Sequence, residues 1–579
     1  MARPRLHNLE NQKFGNWIAL RLDENAPLRK DGSLQDRWIC RCVCGDVKSI
    51  RTAKLLNGSS YGCVECYKKR RHKSGNIPSK LWSGLVNGAK SRGLEVTITP
   101  DYIWGLFLSQ QGKCAISGQT LKLCSGGNAS LDRIDSSKGY FPGNVQWVHK
   151  RVNIAKMNLT DEDFIILCDK ISDHQRQRTT QAKKVIPSLE KYILVDGFRI
   201  VPDLRRSYGS WIVDKQDNRK YLDCFGNFGS QALGWNYPSL VARNNELLEV
   251  ATTKIAHSDI YTEYYERFVK VLASTMPDFE KFFFIAGGAL AVENTLKAAF
   301  DFKVQKLGIQ NDEDRINQLD IIHFENAFHG RSGYTLSLTN SSPVKTKWYP
   351  KFPWTRVPIS DTGLEKVEYT LRQNNAAAVI IEPILGEGGD IHNTKAFLET
   401  LRRLTLQYEC LLIFDEVQTG FSTGKAWCYQ HFNVVPDLIS FGKKVQTGGF
   451  ASTNRLTDDN VLNTPGRINS TFGADIVDLV RATIIMEIIT SEGLLEYSAK
   501  VGDYFLTKLK ELSLLNARGK GSMVAFDLST TEERDSMHNK LCEKMLCLKC
   551  GSKSIRFRPH LSFTEEDADS AVEILKGCC

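Results

Sequence analysis

With 579 residues, 42% of them hydrophobic and 25% charged, the chain has an ordinary globular composition and enough length for several cores. Its formal net charge of +10 is uneven: residues 1–185 hold 31 Lys and Arg against 16 Asp and Glu, so the basic surface, of the kind that meets a phosphate backbone, belongs to the first third. No apolar run approaches the roughly 20 residues of a membrane span, the start "MARPRLHNLENQKFGNW" lacks a signal peptide's apolar centre, and 16 cysteines are too few for a disulfide scaffold, so the expectation is a cytoplasmic protein of several domains.

Three pieces are expected: residues 1–70, cysteine-rich and basic; 71–180; and, after a linker at 181–190, a long α/β region at 191–579. In the first piece, "CRCVCGD" (40–46) and "YGCVEC" (61–66) are two close-set cysteine groups, each able to present two thiolates from a tight turn. Four sulfurs suit a tetrahedral structural zinc, and so small a piece gains much from a metal staple. The ligands are read as Cys42, Cys44, Cys63 and Cys66, with Cys40 able to replace one; free thiols in a small core are the alternative. This zinc-ribbon-like start resembles the front of many phage-type HNH proteins. A later "CLKC" (547–550) has no second pair nearby and is read as coincidence.

The second piece contains "LDRIDSSKGYFPGNVQWVHKRVN" (131–153), a strand, a turn, a strand and the start of a helix. With "CAISGQTL" (114–121) as lead-in, it resembles the HNH (ββα-metal) family over roughly residues 75–165. The resemblance implies that Asp132 and Asn153 ligate a divalent ion, magnesium or manganese, and that Asn144 braces the hairpin. The family's histidine base falls on Arg133, which cannot accept a proton near neutral pH. His149 stands close in sequence, although a lone histidine there is more often a surface residue. Two readings stay open, a variant nuclease and a DNA-binding relic.

Beyond the polar, basic stretch "HQRQRTTQAKKVIPS" (174–188), taken as an exposed linker, short apolar runs alternate with helical ones: "DIIHF" (320–324), "AAAVIIEP" (376–383), "CLLIFDE" (410–416) and "DLISFG" (437–442). Strands buried on both faces and interleaved with helices argue for a mostly parallel sheet. Asp415 and Lys443 each follow such a strand, where open α/β sheets place their ligands. A cofactor that acts as an electron sink needs an amine to hold its aldehyde and an anion to keep its ring nitrogen protonated, and this pair supplies both. "GGALAVE" sets Gly287, Gly288 and Ala289 ahead of a helix, where backbone N–H groups can hold a phosphate; an ordinary tight turn explains the glycines equally well.

These motifs, over residues 190–579, closely resemble class III aminotransferases, which work with pyridoxal 5'-phosphate. The family implies an α/β fold of the type I (aspartate aminotransferase-like) class. Its large domain would span about 245–480, and its smaller α+β domain about 191–244 plus 481–579. "GGALAVENTLKAAFD", "AFHGRSGYTLSLTN", "EPILGEGGD" and "RINSTFG" resemble the L-lysine 6-aminotransferase branch, which implies L-lysine as donor and 2-oxoglutarate as acceptor.

Carried over, Lys443 is the cofactor lysine, Lys444 is structural, and Gly288 and Ala289 hold the phosphate. Phe328 stacks on the ring, Gln418 lies on the same cofactor face, and Arg331 takes the substrate carboxylate. Thr471 reaches a phosphate across a homodimer. One pocket must accept an amine end and then a second carboxylate. The resemblance answers this with a glutamate that holds and releases an arginine, read as Glu387 and Arg558; a plain structural ion pair is the alternative. Asn227 and Phe228 depart from the family in a pocket-lining segment, which leaves an ornithine-like donor open. A third reading makes the chain chiefly an HNH DNA-binding or homing nuclease with an inactive passenger.

Overall fold

The computed structural model describes residues 8–27, 35–66, 77–124, 126–456 and 458–578, the side chains of 174–178 aside. They form two compact units, Met1–Arg178 and Thr179–Cys579. The expected boundary near residue 70 lies outside the described residues.

The first unit opens with a four-stranded antiparallel sheet, Lys13–Phe14, Trp17–Leu22, Arg37–Cys42 and Val47–Arg51, in sequence order. Trp17, Ala19, Trp38 and Cys40 fill its small core on alternate strand positions. A second core forms around the hairpin of Ala129–Arg133 and Val145–His149, which pairs Leu131 with Trp147 and Asp132 with Gln146. The helix Lys150–Lys156 follows directly, so strand, strand and helix stand in the expected order. Trp147 is fully buried, and its indole donates to the Ile103 carbonyl of the helix Pro100–Ser109 at 2.7 Å.

The second unit is built on a seven-stranded sheet in the order Arg356–Val357, Asp320–Phe324, Ala376–Ile381, Leu411–Asp415, Leu438–Phe441, Gly448–Ser452, Lys281–Ile285. All neighbours are parallel except around Gly448–Ser452, which runs antiparallel to both of its own. The central strands are buried at every residue because both faces are covered. Ile380, Ile413 and Leu438 point to a core shared with the helix Gly288–Leu307. Their neighbours Ile381, Phe414 and Ile439 feed the opposite core, with the helices Lys395–Gln407 and Ile476–Ser491.

A further core joins Leu222 and Cys224 to Val501, Phe526, Phe557 and Val572. Around it lie the antiparallel strands Leu515–Lys520, Met523–Asp527, Ser554–Phe557 and Leu548–Cys550, and the strand Lys220–Asp223 paired in parallel with Met545–Leu546. The helix Ile476–Ser491 belongs wholly to the large-sheet core, so the division expected near 480 falls inside it.

The expected linker is corrected as well: Asp161–Lys183 is one helix and Val185–Leu189 another. The Gln, Arg, Ala and Lys of this stretch are good helix formers, and Pro187 falls in a first turn, where its missing N–H costs nothing. Among the described residues no helix is long and apolar enough to cross a membrane.

Candidate active site

Adjacent parallel strands bring the two decisive side chains together. Asp415 closes Leu411–Asp415, and Lys443 follows Leu438–Phe441 after Gly442, with Asp415 in register with Ser440. Lys443 itself takes a left-handed backbone, φ 48°, at the sharp turn that ends its strand. Opposite stands the N-terminus of the helix Gly288–Leu307. Gly288 is a close-approach position: a Cβ there would lie 2.5 Å from Val417 Cγ1. Its backbone can therefore line a ligand where a larger residue would push the loop away.

A cavity of about 290 Å³ is lined by Gly288, Ala289, Phe328, Arg331, Asp415, Gln418 and Lys443, together with His329, Gly330, Glu382 and Val417. Seven residues read from four separate motifs thus line one cavity. Burial, aided by the positive charge of Arg556, pulls the Lys443 amine from 10.5 to about 8. Lys444 turns the other way and donates to the Gly229 carbonyl at 3.0 Å.

Of the four cavity residues to which the sequence reading gave no role, two are titratable. His329 Nδ1 lies 2.8 Å from Asp415 Oδ2, while its Nε2 is buried with no partner among the described residues. This contact fixes the carboxylate against the cavity. Glu382 accepts from the Phe328 N–H at 2.9 Å and the Gly386 N–H at 3.1 Å, and burial pushes it up to about 7. Both residues sit inside quoted motifs, but a histidine beside a phenylalanine shows no partner until the sheet brings it to Asp415, 86 residues on, from a strand one removed from its own.

The glutamate–arginine pairing is corrected. Glu387 pairs with Arg556, and its Oε2 also accepts from Lys345 Nζ at 2.7 Å. Against the cost of burial, Arg556 and Lys345 hold the carboxyl down to about 2. Arg558 is bound instead to Asp390, NH1 to Oδ2 at 2.9 Å, and to Gln418 Oε1 from its Nε at 3.1 Å. In "IRFRPHL" the two arginines stand two apart along extended chain and so face the same side, which spacing alone cannot separate. Arg556 Nε is buried and without a partner among the described residues, a donor left over for a ligand. Lys345, the other residue the sequence did not point to, also lies over the Phe328 ring, 4.9 Å from its centre.

Arg331 is exposed at the cavity mouth. Thr471 is also exposed and lies outside the cavity lining, on a segment whose Phe472 carbonyl accepts from the Ala286 N–H. Asn227 and Phe228 both take left-handed backbone, φ 51° and 59°, in a short turn, and Phe228 packs edge-on against Phe225.

The residues present fit pyridoxal phosphate: an amine, an oriented carboxylate, an aromatic ring and a helix N-terminus without a side-chain cap converge on one cavity. Gly288 and Ala289 would hold the phosphate, Phe328 would cover the ring, Asp415 would meet its nitrogen, and Lys443 would hold its aldehyde.

In the first unit, the Sγ atoms of Cys42, Cys44, Cys63 and Cys66 all lie within 4.8 Å of one another, with Cys44 and Cys63 3.2 Å apart. Cys40 stands apart, donating to the Trp38 carbonyl, and burial pushes its thiol up to about 11. Asp132 is buried and meets a cation: Lys156 Nζ lies 3.0 Å from its Oδ2, and Gln146 donates to the same oxygen at 3.1 Å. Asn153 donates to Ser130 Oγ at 2.8 Å, and His149 caps its helix by accepting from the Arg151 N–H. Arg133 donates to the carbonyls of Ser136 and Lys138, and Asn144 binds Asp135 and Gly139 across the turn. Among the described residues, no group of three or more His, Cys, Asp and Glu ligand atoms includes Asp132.

Comparison with known proteins gives one answer for the second unit. A family model described as aminotransferase class-III matches residues 196–579. The L-lysine-epsilon aminotransferase of Mycobacterium tuberculosis is 40% identical over 432 residues, 69% of this chain and 96% of its own. That of Streptomyces clavuligerus is 40% identical over 430 residues, 68% and 93% respectively. A solved structure of lysine aminotransferase from M. tuberculosis superposes with a TM-score of 0.66 at 39% identity, covering 69% of this chain and 98% of that one.

Proposed function

We propose, for a chain that belongs to the class-III aminotransferases, that it moves the ε-amino group of L-lysine to 2-oxoglutarate, giving 2-aminoadipate 6-semialdehyde and glutamate. The cofactor is pyridoxal 5'-phosphate. When bound, it supplies an aldehyde that takes up the donor amine and a ring that delocalises the electrons released when a C–H bond breaks.

The remaining steps fall to side chains. Lys443 Nζ, pulled down to about 8, carries a useful neutral fraction near neutral pH and moves the proton from the donor's ε-carbon. Asp415, fixed by His329, keeps its negative charge toward the ring. Arg331 meets the α-carboxylate at the mouth. Glu387 holds Arg556 while an uncharged or cationic chain end is bound, and releases it to the second carboxylate of 2-oxoglutarate. Two sites form in a homodimer, with Thr471 serving the partner subunit's cofactor.

The observation that carries this reading is the convergence of seven residues, read from four separate motifs, on one cavity around Lys443. The purified protein should be yellow, and lysine with 2-oxoglutarate should yield semialdehyde and glutamate. Faster turnover of ornithine or 4-aminobutyrate would reassign the donor. A colourless protein that stays so after incubation with pyridoxal phosphate would remove the reading altogether.

For the first unit we propose nucleic-acid binding without cleavage, with zinc held by Cys42, Cys44, Cys63 and Cys66. The excess of Lys and Arg and the grouped thiols support it, and the Lys156 contact at Asp132 disfavours a nuclease metal there. Retention on duplex DNA should fall steeply with salt. Nicking with magnesium or manganese that Asp132→Ala abolishes would show that cleavage was wrongly set aside.

A further inference from the structure

Far along the chain from the Lys443 cavity residues, the small core carries a second group of soft ligands. His538 and Cys542 are four apart at the C-terminal end of the helix Thr531–Leu541, so they share one face. The chain turns back through Glu543 and Lys544 into the strand Met545–Leu546, and this return delivers Cys547, fully buried, to the same point. One ligand atom from each of the three lies within 4.8 Å of the others.

We propose that His538, Cys542 and Cys547 bind a zinc ion; Cys578 lies outside this group of three. The distances suit it. With Zn–S of about 2.3 Å and Zn–N of about 2.0 Å, neighbouring ligands of a tetrahedral site stand roughly 3.5–3.8 Å apart. His538 Nε2 is 3.5 Å and its Nδ1 3.8 Å from Cys542 Sγ. Its Nε2 faces the Cys547 carbonyl at 3.1 Å. Both ring nitrogens are thus within reach of the thiol, and either can face the ion.

Two thiolates and an imidazole match a borderline-soft divalent ion and exclude an oxygen-seeking one such as magnesium. The last helix, Glu565–Lys576, returns the chain so that Cys578 packs on the same core, and its carbonyl accepts from Lys540 Nζ at 3.3 Å. A metal here would tie the helix Thr531–Leu541 to the strand run that leads into Arg556. "CLKC" does not act as a pair: Cys550 is outside the group.

The test is metal content of the full-length protein by mass spectrometry. Against wild type, Cys542→Ser/Cys547→Ser should lose one zinc per chain, and Cys63→Ser/Cys66→Ser should not remove that same equivalent. The yellow colour of bound cofactor reports that each variant is folded. Should the first variant fail that check, wild type alone decides: a chelator should increase alkylation of Cys542 in native protein. Wild-type zinc content in a folded Cys542→Ser/Cys547→Ser protein overturns the proposal. So does chelator-independent alkylation, or a Cys542–Cys547 disulfide in peptides mapped without reduction.

Discussion

Glu387 closes on Arg556, while Arg558, two residues on, is bound to Asp390; one short stretch therefore carries two buried guanidiniums with different employments. Gln418 Oε1 accepts from both, at 3.3 Å from Arg556 NH1 and 3.1 Å from Arg558 Nε. Arg558 has both carboxylate oxygens of a buried aspartate and no donor left over. Arg556 keeps an unpartnered Nε and has a glutamate already satisfied in part by Lys345. Only the second arrangement can exchange partners without stranding a charge.

Arg556→Ala and Arg558→Ala should accordingly fail in different ways. The first leaves Glu387 with Lys345, so the protein should fold and bind cofactor, yet kcat/KM for 2-oxoglutarate should drop by about 100-fold, with the lysine half-reaction changed far less. The second strands Asp390 and should cost roughly 3–5 kcal/mol of stability, seen as a lowered melting temperature, with both half-reactions falling together. Equal loss in both half-reactions for a stably folded Arg556→Ala would show that this pair is a structural bridge only.

The pH dependence of cofactor capture follows from Lys443. Its amine must be neutral to attack an aldehyde, and in the fold it loses its proton at about 8 instead of 10.5. Uptake of pyridoxal phosphate by cofactor-free protein should rise about tenfold per unit below pH 8 and level off above it. Stability moves with the same sign. Between 8 and 10.5 the unfolded chain binds the extra proton, so this group makes the cofactor-free protein more stable as pH rises through that window, and contributes no slope below it. Lys443→Ala should abolish the visible band and turnover. Uptake still climbing past pH 9.5 would mean an unperturbed amine.

In the first unit, Lys156 is fully buried and reaches Asp132 at 3.0 Å, Asp161 at 3.2 Å and the Arg133 carbonyl at 3.2 Å. Lys156→Met leaves a buried carboxylate uncompensated and should cost about 3–5 kcal/mol, most of it recovered when Asp132→Asn is added. Hydrogen exchange in Ala129–Arg133 and Val145–His149 measures both. Recovery of the single variant by manganese instead would make Asp132 a metal ligand after all.

What the sequence made legible follows from how local each signal is. Continuous apolar runs such as "CLLIFDE" required strands covered on both faces, the strand-end positions pointed to Asp415 and Lys443, and the family resemblance added Phe328 to the same cavity. The four grouped thiols were legible because each pair sits within one turn. The Glu387 partner was not, since 169 residues separate it from Arg556 and two identical side chains compete two positions apart. Lys156 went unseen because its meaning depends on Asp132, 24 residues earlier on a strand that only the hairpin brings near. His538 with Cys547 failed for the same reason: a helix end and a strand entrance carry no joint spacing rule. The linker failed because polarity reports exposure, which a surface helix shares.

Lys345 gives the sharpest check on how Glu387 divides its charge. It donates to Glu387 Oε2 at 2.7 Å, while Arg556 takes the other oxygen, so two cations share one carboxylate. Removing the lysine by Lys345→Met leaves Glu387 with Arg556 alone, and the pair should tighten. Freeing Arg556 for a dicarboxylate then costs more, and the KM for 2-oxoglutarate should rise about 3- to 10-fold, near 1 kcal/mol for a partly exposed pair. The donor half-reaction, which needs Arg556 held back, should keep its rate. The Glu387→Gln variant should reverse the pattern, welcoming 2-oxoglutarate and weakening lysine, because Arg556 then faces the cavity with its charge uncancelled. If Lys345→Met lowered the KM for 2-oxoglutarate, Lys345 would be a competitor for the acceptor carboxylate and not a counterweight on Glu387.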